Sequence, residues 1–226
     1  MGGLKTAVAL ALLGVAQTAH AAEQPVVVEL FTSQGCSSCP PANANLIRLA
    51  GRRNVLALSY SVTYWDRLGW KDVFGKAEFT QRQADYVPAL GLRGPFTPHM
   101  VIDGRFSAVG QNLNEVEGLI AQSGGLAGPD VTIGAGKVFV SSGPAPQGGA
   151  DVWLVRYDPH TVQVAVGRGE NSGRTLPHTH VVHDLQRLGS WSGAATTLPI
   201  RAHADNLNIA ILVQAPNGGP ILAAAR

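Results

Sequence analysis

The 226-residue chain predicts an α/β domain followed by an all-β, sandwich-like domain. Three observations carry that expectation. Near the N-terminus a strand, a helix and a second strand succeed one another within about 35 residues, the pattern of a βαβ unit on a parallel sheet. A break poor in core-forming residues, Ser123-Gly124-Gly125-Leu126-Ala127-Gly128-Pro129, then interrupts the text. Beyond it, short apolar runs alternate with Gly, Pro and Asn turns. The expected boundaries are a leader at 1–21, the α/β domain at 24–122, a linker at 123–129 and the β domain at 130–226.

The first residues set Lys5 before an apolar run, Ala7 to Ala16, and a small-residue stretch, Ala19-His20-Ala21. That layout reads as a secretory signal peptide cleaved near Ala21. The run holds about 10 residues where a bilayer span needs roughly 20, so no membrane span is expected. An exported, periplasmic or secreted protein follows. With 17 Lys and Arg against 15 Asp and Glu, the charge gives no basic nucleic-acid face.

Val26 to Phe31 is β-branched and almost wholly apolar, a strand buried on both faces. Pro40-Pro41 suit the first turn of a helix, and Leu46, Ile47, Leu49 and Ala50 continue it to Gly51. Val55 to Val62 is the next buried strand. An aromatic excursion, Tyr64 to Trp70, precedes a helical stretch from Phe79 to Leu90 that contains Pro88. His99 to Ile102 and Arg105 to Val109 flank Asp103-Gly104 as a hairpin. Asn112, with Glu115 three positions on, caps a helix running to about Gln122. In the second half, Val131–Val140, Val152–Tyr157, Val162–Val166, a run near His180–Leu188, Thr196–Ile200 and Ile209–Gln214 read as strands.

The chain has two cysteines, Cys36 and Cys39, in Gly35-Cys36-Ser37-Ser38-Cys39-Pro40. A stabilising disulfide gains by closing a long loop, and this pair closes almost none. A zinc site would want a second pair of ligands. Between a strand and a helix N-terminus, where unpaired N–H groups favour a thiolate, the pair reads instead as a redox-active dithiol. Cys36 is the expected nucleophile and Cys39 the resolving thiol, with no cofactor beyond their own disulfide. The expected partners are exported protein thiols or disulfides; no oligomeric state follows. Tyr64, Trp65 and Trp70 suit either a groove for an extended peptide beside the dithiol or core packing of the excursion. Glu170 to Arg174 reads as a structural turn, with Arg174 bridging to the first domain.

A rival reading is a partner- or metal-binding module with a structural disulfide. Its ligands for Cu or Zn are His178, His180 and His183, because alternate residues of a strand share a face.

Phe31 to Ala42 (FTSQGCSSCPPA), with Thr97-Pro98 before the Val101-Ile102 strand, resembles thioredoxin-fold proteins over about 100 residues. The resemblance implies a thioredoxin-like N-terminal domain, with Pro98 in a cis-proline loop that contacts substrate and Thr97 beside it. It also implies a buried acid in the first strand that relays the resolving cysteine's proton. Glu29 stands one residue further from the dithiol than that pattern, so an outward-facing, edge-exposed Glu is the other reading. Together with Tyr64-Trp65-Asp66, Leu68 to Asp72, Glu170-Asn171, Gly173-Arg174 and Gly219 to Leu222, the motif is similar to a bacterial family of secreted thioredoxin-like proteins of unassigned activity.

Overall fold

A computed structural model of the chain describes residues 24–201 and 206–226. The expected signal peptide and its cleavage point near Ala21 lie outside the described residues. Strand β1 (Val26–Thr32) is buried at every position, as its unbroken apolar text predicts. Helix α1 (Pro40–Ala50) follows the dithiol, and β2 (Val55–Ser61) returns parallel to β1, with Val26 opposite Val55 and Thr32 opposite Ser61. The excursion forms a single 3-10 turn, Asp66–Leu68, and leads into α2 (Ala77–Ala89). Pro88 lies in that helix's last turn rather than ending it earlier. Strands β3 (His99–Ile102) and β4 (Phe106–Ala108) pair about Asp103-Gly104, and β3 lies antiparallel to β1. Asn112 caps α3 (Leu113–Ser123) by accepting from the backbone N–H of Asn114 and Glu115.

The rest of the chain is extended: β5 (Val131–Gly134), β6 (Lys137–Val140), β7 (Ala150–Ala165), β8 (Thr175–Trp191), β9 (Thr196–Pro199), β10 (Asn208–Gln214) and β11 (Ile221–Ala225). The expected single run Val131–Val140 is a hairpin that turns at Ala135-Gly136. The expected strands Val152–Tyr157 and Val162–Val166 are one long strand, β7, with an irregularity between Asp158 and Thr161. Pro159, which has no N–H to give a ladder, sits in that irregularity.

The expected fold class is corrected by the sheet. A single mixed sheet of eight strands, ordered β11-β10-β7-β8-β2-β1-β3-β4, runs through both halves with three α-helices among the described residues. The chain is therefore not an α/β thioredoxin-like domain followed by a separate all-β sandwich. The junction is β8 on β2, parallel, with Ser59 opposite Val181. Its cause lies in β2, which is buried at every position. As an edge strand it would leave a row of N–H and C=O groups open on a largely apolar ribbon, and β8 covers that edge.

Three apolar cores follow. On one face of the central strands, α1 and α3 bury Leu46, Leu49, Val116 and Ile120 against Val28, Leu30, Ala57 and Met100. On the other, α2 sets Phe79 and Tyr86 against Phe31, Leu58, Tyr60 and Leu212. The small sheet β5-β6-β9 closes the third, with Val138 and Val140 on Leu154, Ile211 and Trp191. Edge strand β11 is tied to the turn between β3 and β4, at the other end of the strand order: Ile221 N–H donates to the Asp103 carbonyl at 2.9 Å. Gly104 makes that approach possible, since a Cβ there would stand 2.7 Å from the Gly219 carbonyl oxygen.

Candidate dithiol site

The site is built on the turn between β1 and α1. The Cys39 N–H closes the turn onto the Cys36 carbonyl at 3.2 Å, and Cys39 occupies the N-cap position of α1, whose first residue is Pro40. Both cysteines are free thiols with 0% exposure, while Ser37 and Ser38 between them are exposed. Cys36 lies at about 6, well below its ordinary 9.0, because the Cys39 thiol donates to it, with Ser38 and Thr97 adding further hydrogen bonds against the cost of burial. Burial beside that thiolate pushes Cys39 the other way, far above its ordinary value. One thiol is thus set to ionise and its neighbour to keep its proton.

Four elements distant in sequence converge on this turn. Thr97 belongs to the loop before β3, and its peptide bond to the buried Pro98 is cis. Its carbonyl accepts from the Ser38 hydroxyl at 3.4 Å, and that hydroxyl is also 3.2 Å from Cys36 Sγ. Trp65, half-buried, donates its indole N–H to Thr97 Oγ1 at 2.7 Å. Its Cβ would stand 3.1 Å from a Cβ added at Gly35, which is why the chain narrows to glycine there. Between β4 and α3, Gln111 donates to the Ser38 carbonyl at 2.7 Å, held by Asn45 of α1, which donates to the Gln111 carbonyl at 2.9 Å.

The fourth element is the loop between β7 and β8, where sequence reasoning saw a structural turn. Asn171, fully buried, donates to the Gln34 carbonyl at 3.0 Å and the Cys36 carbonyl at 2.8 Å, and accepts from Arg174 at 2.7 Å. Glu170, at the surface, accepts from the Ser37 N–H at 2.9 Å and the Ser37 hydroxyl at 2.7 Å, bonds that hold its carboxyl below the usual range. Gly169, at φ +79°, brings the loop to the Cα of Gly35. The sequence-level signal was the mixture of Glu, Asn and Arg in one tight turn, and it does not identify what the turn touches.

The other expected site residues divide. Trp70 donates its indole N–H to Gln34 Oε1 at 2.8 Å and packs under Gly167, so it supports the segment before the dithiol. Asp72, buried, accepts from the Gln34 N–H at 2.7 Å and the Phe74 N–H at 2.9 Å; burial raises its carboxyl above the usual range. Glu29 faces α2 and is engaged there: its carboxylate accepts from Arg82 Nε at 2.7 Å and from the Tyr86 hydroxyl. The structure does not bring it to the dithiol. Nor does it bring the three histidines together. His180 takes a left-handed backbone, φ +48°, within β8, which breaks the alternation, so His178 and His183 both flank Phe74 while His180 faces the Ala57 carbonyl at 2.9 Å. Among the described residues no group of three or more His, Cys, Asp or Glu side chains is arranged to hold a metal ion.

Comparison with known proteins gives the chain a family and no activity. A crystal structure of a protein of Agrobacterium tumefaciens is 30% identical, with a TM-score of 0.74 over 88% of this chain and 92% of that one. HBP35 of Porphyromonas gingivalis shares the fold at 13% identity, with a TM-score of 0.56 over 90% of this chain and 74% of that one. No curated protein matches. The family described as a protein of unknown function, DUF1223, matches residues 27–214, and the chain belongs to it.

Proposed function

We propose that the chain is a thiol–disulfide oxidoreductase acting through Cys36 and Cys39. The observation that carries the reading is the placement of two buried free thiols in one turn at the start of α1, with the Ser38 hydroxyl linking Cys36 to the Thr97 loop; the contact between the thiols draws Cys36 down and pushes Cys39 up. A thiolate is the attacking species in exchange, and a neighbour that stays protonated supplies both the proton and the second nucleophile. The local setting, a dithiol turn facing Thr97 and Pro98, supports the further reading that this end of the molecule works as in thioredoxin-type proteins. The sequence before Ala21 supports an exported setting, in which the partners are protein thiols or disulfides.

The reaction balances as follows. An approaching partner displaces the exposed Ser38 hydroxyl, and the Cys36 thiolate attacks one sulfur of its disulfide. A Cys36–partner bond forms, the partner's own S–S bond breaks, and its second sulfur leaves as a thiolate. With the charge on Cys36 gone, Cys39 yields its proton to that leaving thiolate. Cys39 then attacks the Cys36 sulfur, closing the Cys36–Cys39 disulfide and releasing the partner's first sulfur as a thiolate. Two electrons pass to the partner; a dithiol reductant restores the pair, and the same steps in reverse oxidise a partner dithiol.

Purified protein is expected to show two titratable thiols on reduction, a reversible two-electron couple, and catalysis of exchange with a disulfide-bonded peptide that Cys36→Ser abolishes. Equal rates for wild type and Cys36→Ser sink the reading.

A further inference from the structure

Two of the segments that meet the dithiol turn, the excursion after β2 and the loop between β7 and β8, carry acids and cations in near balance: Asp66, Asp72 and Glu170 against Arg67, Lys71, Arg168 and Arg174. Folding separates the two signs. Each acid is engaged by backbone N–H groups: Asp66 by that of Asp72 at 3.1 Å, Asp72 by those of Gln34 and Phe74, and Glu170 by that of Ser37. All four cations are exposed, and among the described residues none is paired with a carboxylate. The surface of the two segments thus keeps four positive charges against one exposed acid, Glu170.

The two segments form one face. A Cβ on Gly69, two residues after Arg67, would stand 3.9 Å from the Arg168 side chain, and one on Gly167 would stand 3.0 Å from the Trp70 ring. Three arginines are each one residue removed from Gly35 and Cys36. Arg67 lies over the ring of Trp65, which abuts Gly35; Arg168 adjoins Gly169, which meets the Gly35 Cα; Arg174 donates to Asn171, which donates to the Cys36 carbonyl. Arg67 and Arg174 each give one bond inward, to the Tyr64 carbonyl and to Asn171 Oδ1. A guanidinium has five donors in a planar fork, so both keep donors that suit a carboxylate. We propose that this face docks an acidic protein segment, so that the partner whose disulfide meets Cys36 carries Asp or Glu side chains beside its cysteine. The inference rests on the oxidoreductase reading for what the partner brings to the face. Four cations gathered at one turn match a short cluster of carboxylates, whereas a nucleic acid is held along an extended track of phosphates.

The test sets the reduced full chain against three oxidised peptides that differ only in carrying Glu, Gln or Lys on either side of their disulfide cysteines. Each exchange rate is divided by that peptide's rate with dithiothreitol, which removes the effect of the flanking charge on the disulfide itself. At about 20 mM salt the Glu peptide is expected to react about threefold to tenfold faster than the Gln peptide, and the Lys peptide slower than both. At about 0.5 M salt the differences are expected to close, because exposed charges are then screened over a few ångströms. Lys71→Glu combined with Arg168→Glu is expected to remove the preference and Arg67→Gln to weaken it, while Lys137→Glu, on the β5–β6 hairpin, leaves it. Equal normalised rates for the three peptides overturn the proposal, as does a preference that survives Lys71→Glu with Arg168→Glu. Peptides with Ser in place of Cys, followed by fluorescence anisotropy, keep the two readings apart. Exchange at one rate with no difference in binding removes the docking face and leaves the oxidoreductase. Selective binding of the Glu peptide without exchange leaves the face and removes the oxidoreductase. A single-stranded oligonucleotide of equal charge that binds as tightly as the Glu peptide overturns the assignment to a protein partner.

Discussion

At the scale of single residues, the cysteines, the proline and the capping asparagine were legible because each acts within its own stretch of chain. A Cys-x-x-Cys before Pro-Pro announces a turn feeding a helix, and Thr97-Pro98 announces a loop before a strand. Glu29 was legible only as an anomaly, an acid in an apolar run. What it bonds to, Arg82 and Tyr86, comes from a helix 53 and 57 residues away, and no local pattern names them. His178 was misread for a related reason. Its expected face rested on unbroken alternation, and a single left-handed residue at His180 undoes alternation. The structure gives His178 a different consequence. Both ring nitrogens are buried without a partner, and burial lowers its proton affinity to about 4 against an ordinary 6.5. Above pH 6.5 the ring is neutral folded or unfolded and contributes nothing to the pH dependence. As the pH falls from 6.5 to about 4 the unfolded chain takes up a proton that the folded one refuses, so stability is lost through that window. His178→Leu is expected to remove on the order of 3 kcal/mol of acid sensitivity between pH 7 and pH 4. Urea midpoints across that range check it, and parallel pH curves for variant and wild type refute it.

At the scale of elements, the sequence yields β1, α1, β2, the hairpin of β3 and β4, and α3 with little error, because each carries its own period, cap or turn residue. Strand β7 was divided in two because Asp158-Pro159-His160 reads as a turn. The chain instead places the proline in an irregularity and continues. The loop after β7 is the element whose role was least visible. A buried Asn with three hydrogen bonds is indistinguishable in sequence from an Asn that merely tolerates a turn. Its bonds to the Gln34 and Cys36 carbonyls have no substitute, since those oxygens are buried with it. Asn171→Ala is expected to cost about 1 to 3 kcal/mol, the penalty for stranding buried polar groups, whereas Ala at the surface residue Glu170 is expected to leave the unfolding midpoint where it is. Chemical denaturation of the two variants checks the contrast; an unshifted midpoint for Asn171→Ala means that the loop does not hold the turn.

At the scale of the molecule, the expected fold class, α/β followed by all-β, was overturned because each half satisfies its own pattern while one sheet runs through both. Periodicity reports whether a strand's faces are buried and says nothing about which strand covers its edge. Strand β2 is buried throughout and β8 is its neighbour, so the first half ends on an edge that the second half closes. A fragment of residues 24–126 is therefore expected to aggregate or remain unfolded, while 24–226 folds with a single unfolding transition. Circular dichroism and size-exclusion chromatography distinguish the outcomes, and a monomeric, cooperatively folded fragment contradicts the continuous sheet.

The bond from Asn171 to the Cys36 carbonyl spans 135 residues of chain. A ribosome delivers the N-terminus first, so the two thiols are synthesised long before the side chain that fixes their turn. The turn that carries Cys36 is therefore held on this side only once the β7–β8 loop has been made and packed against it, long after the turn itself has left the ribosome.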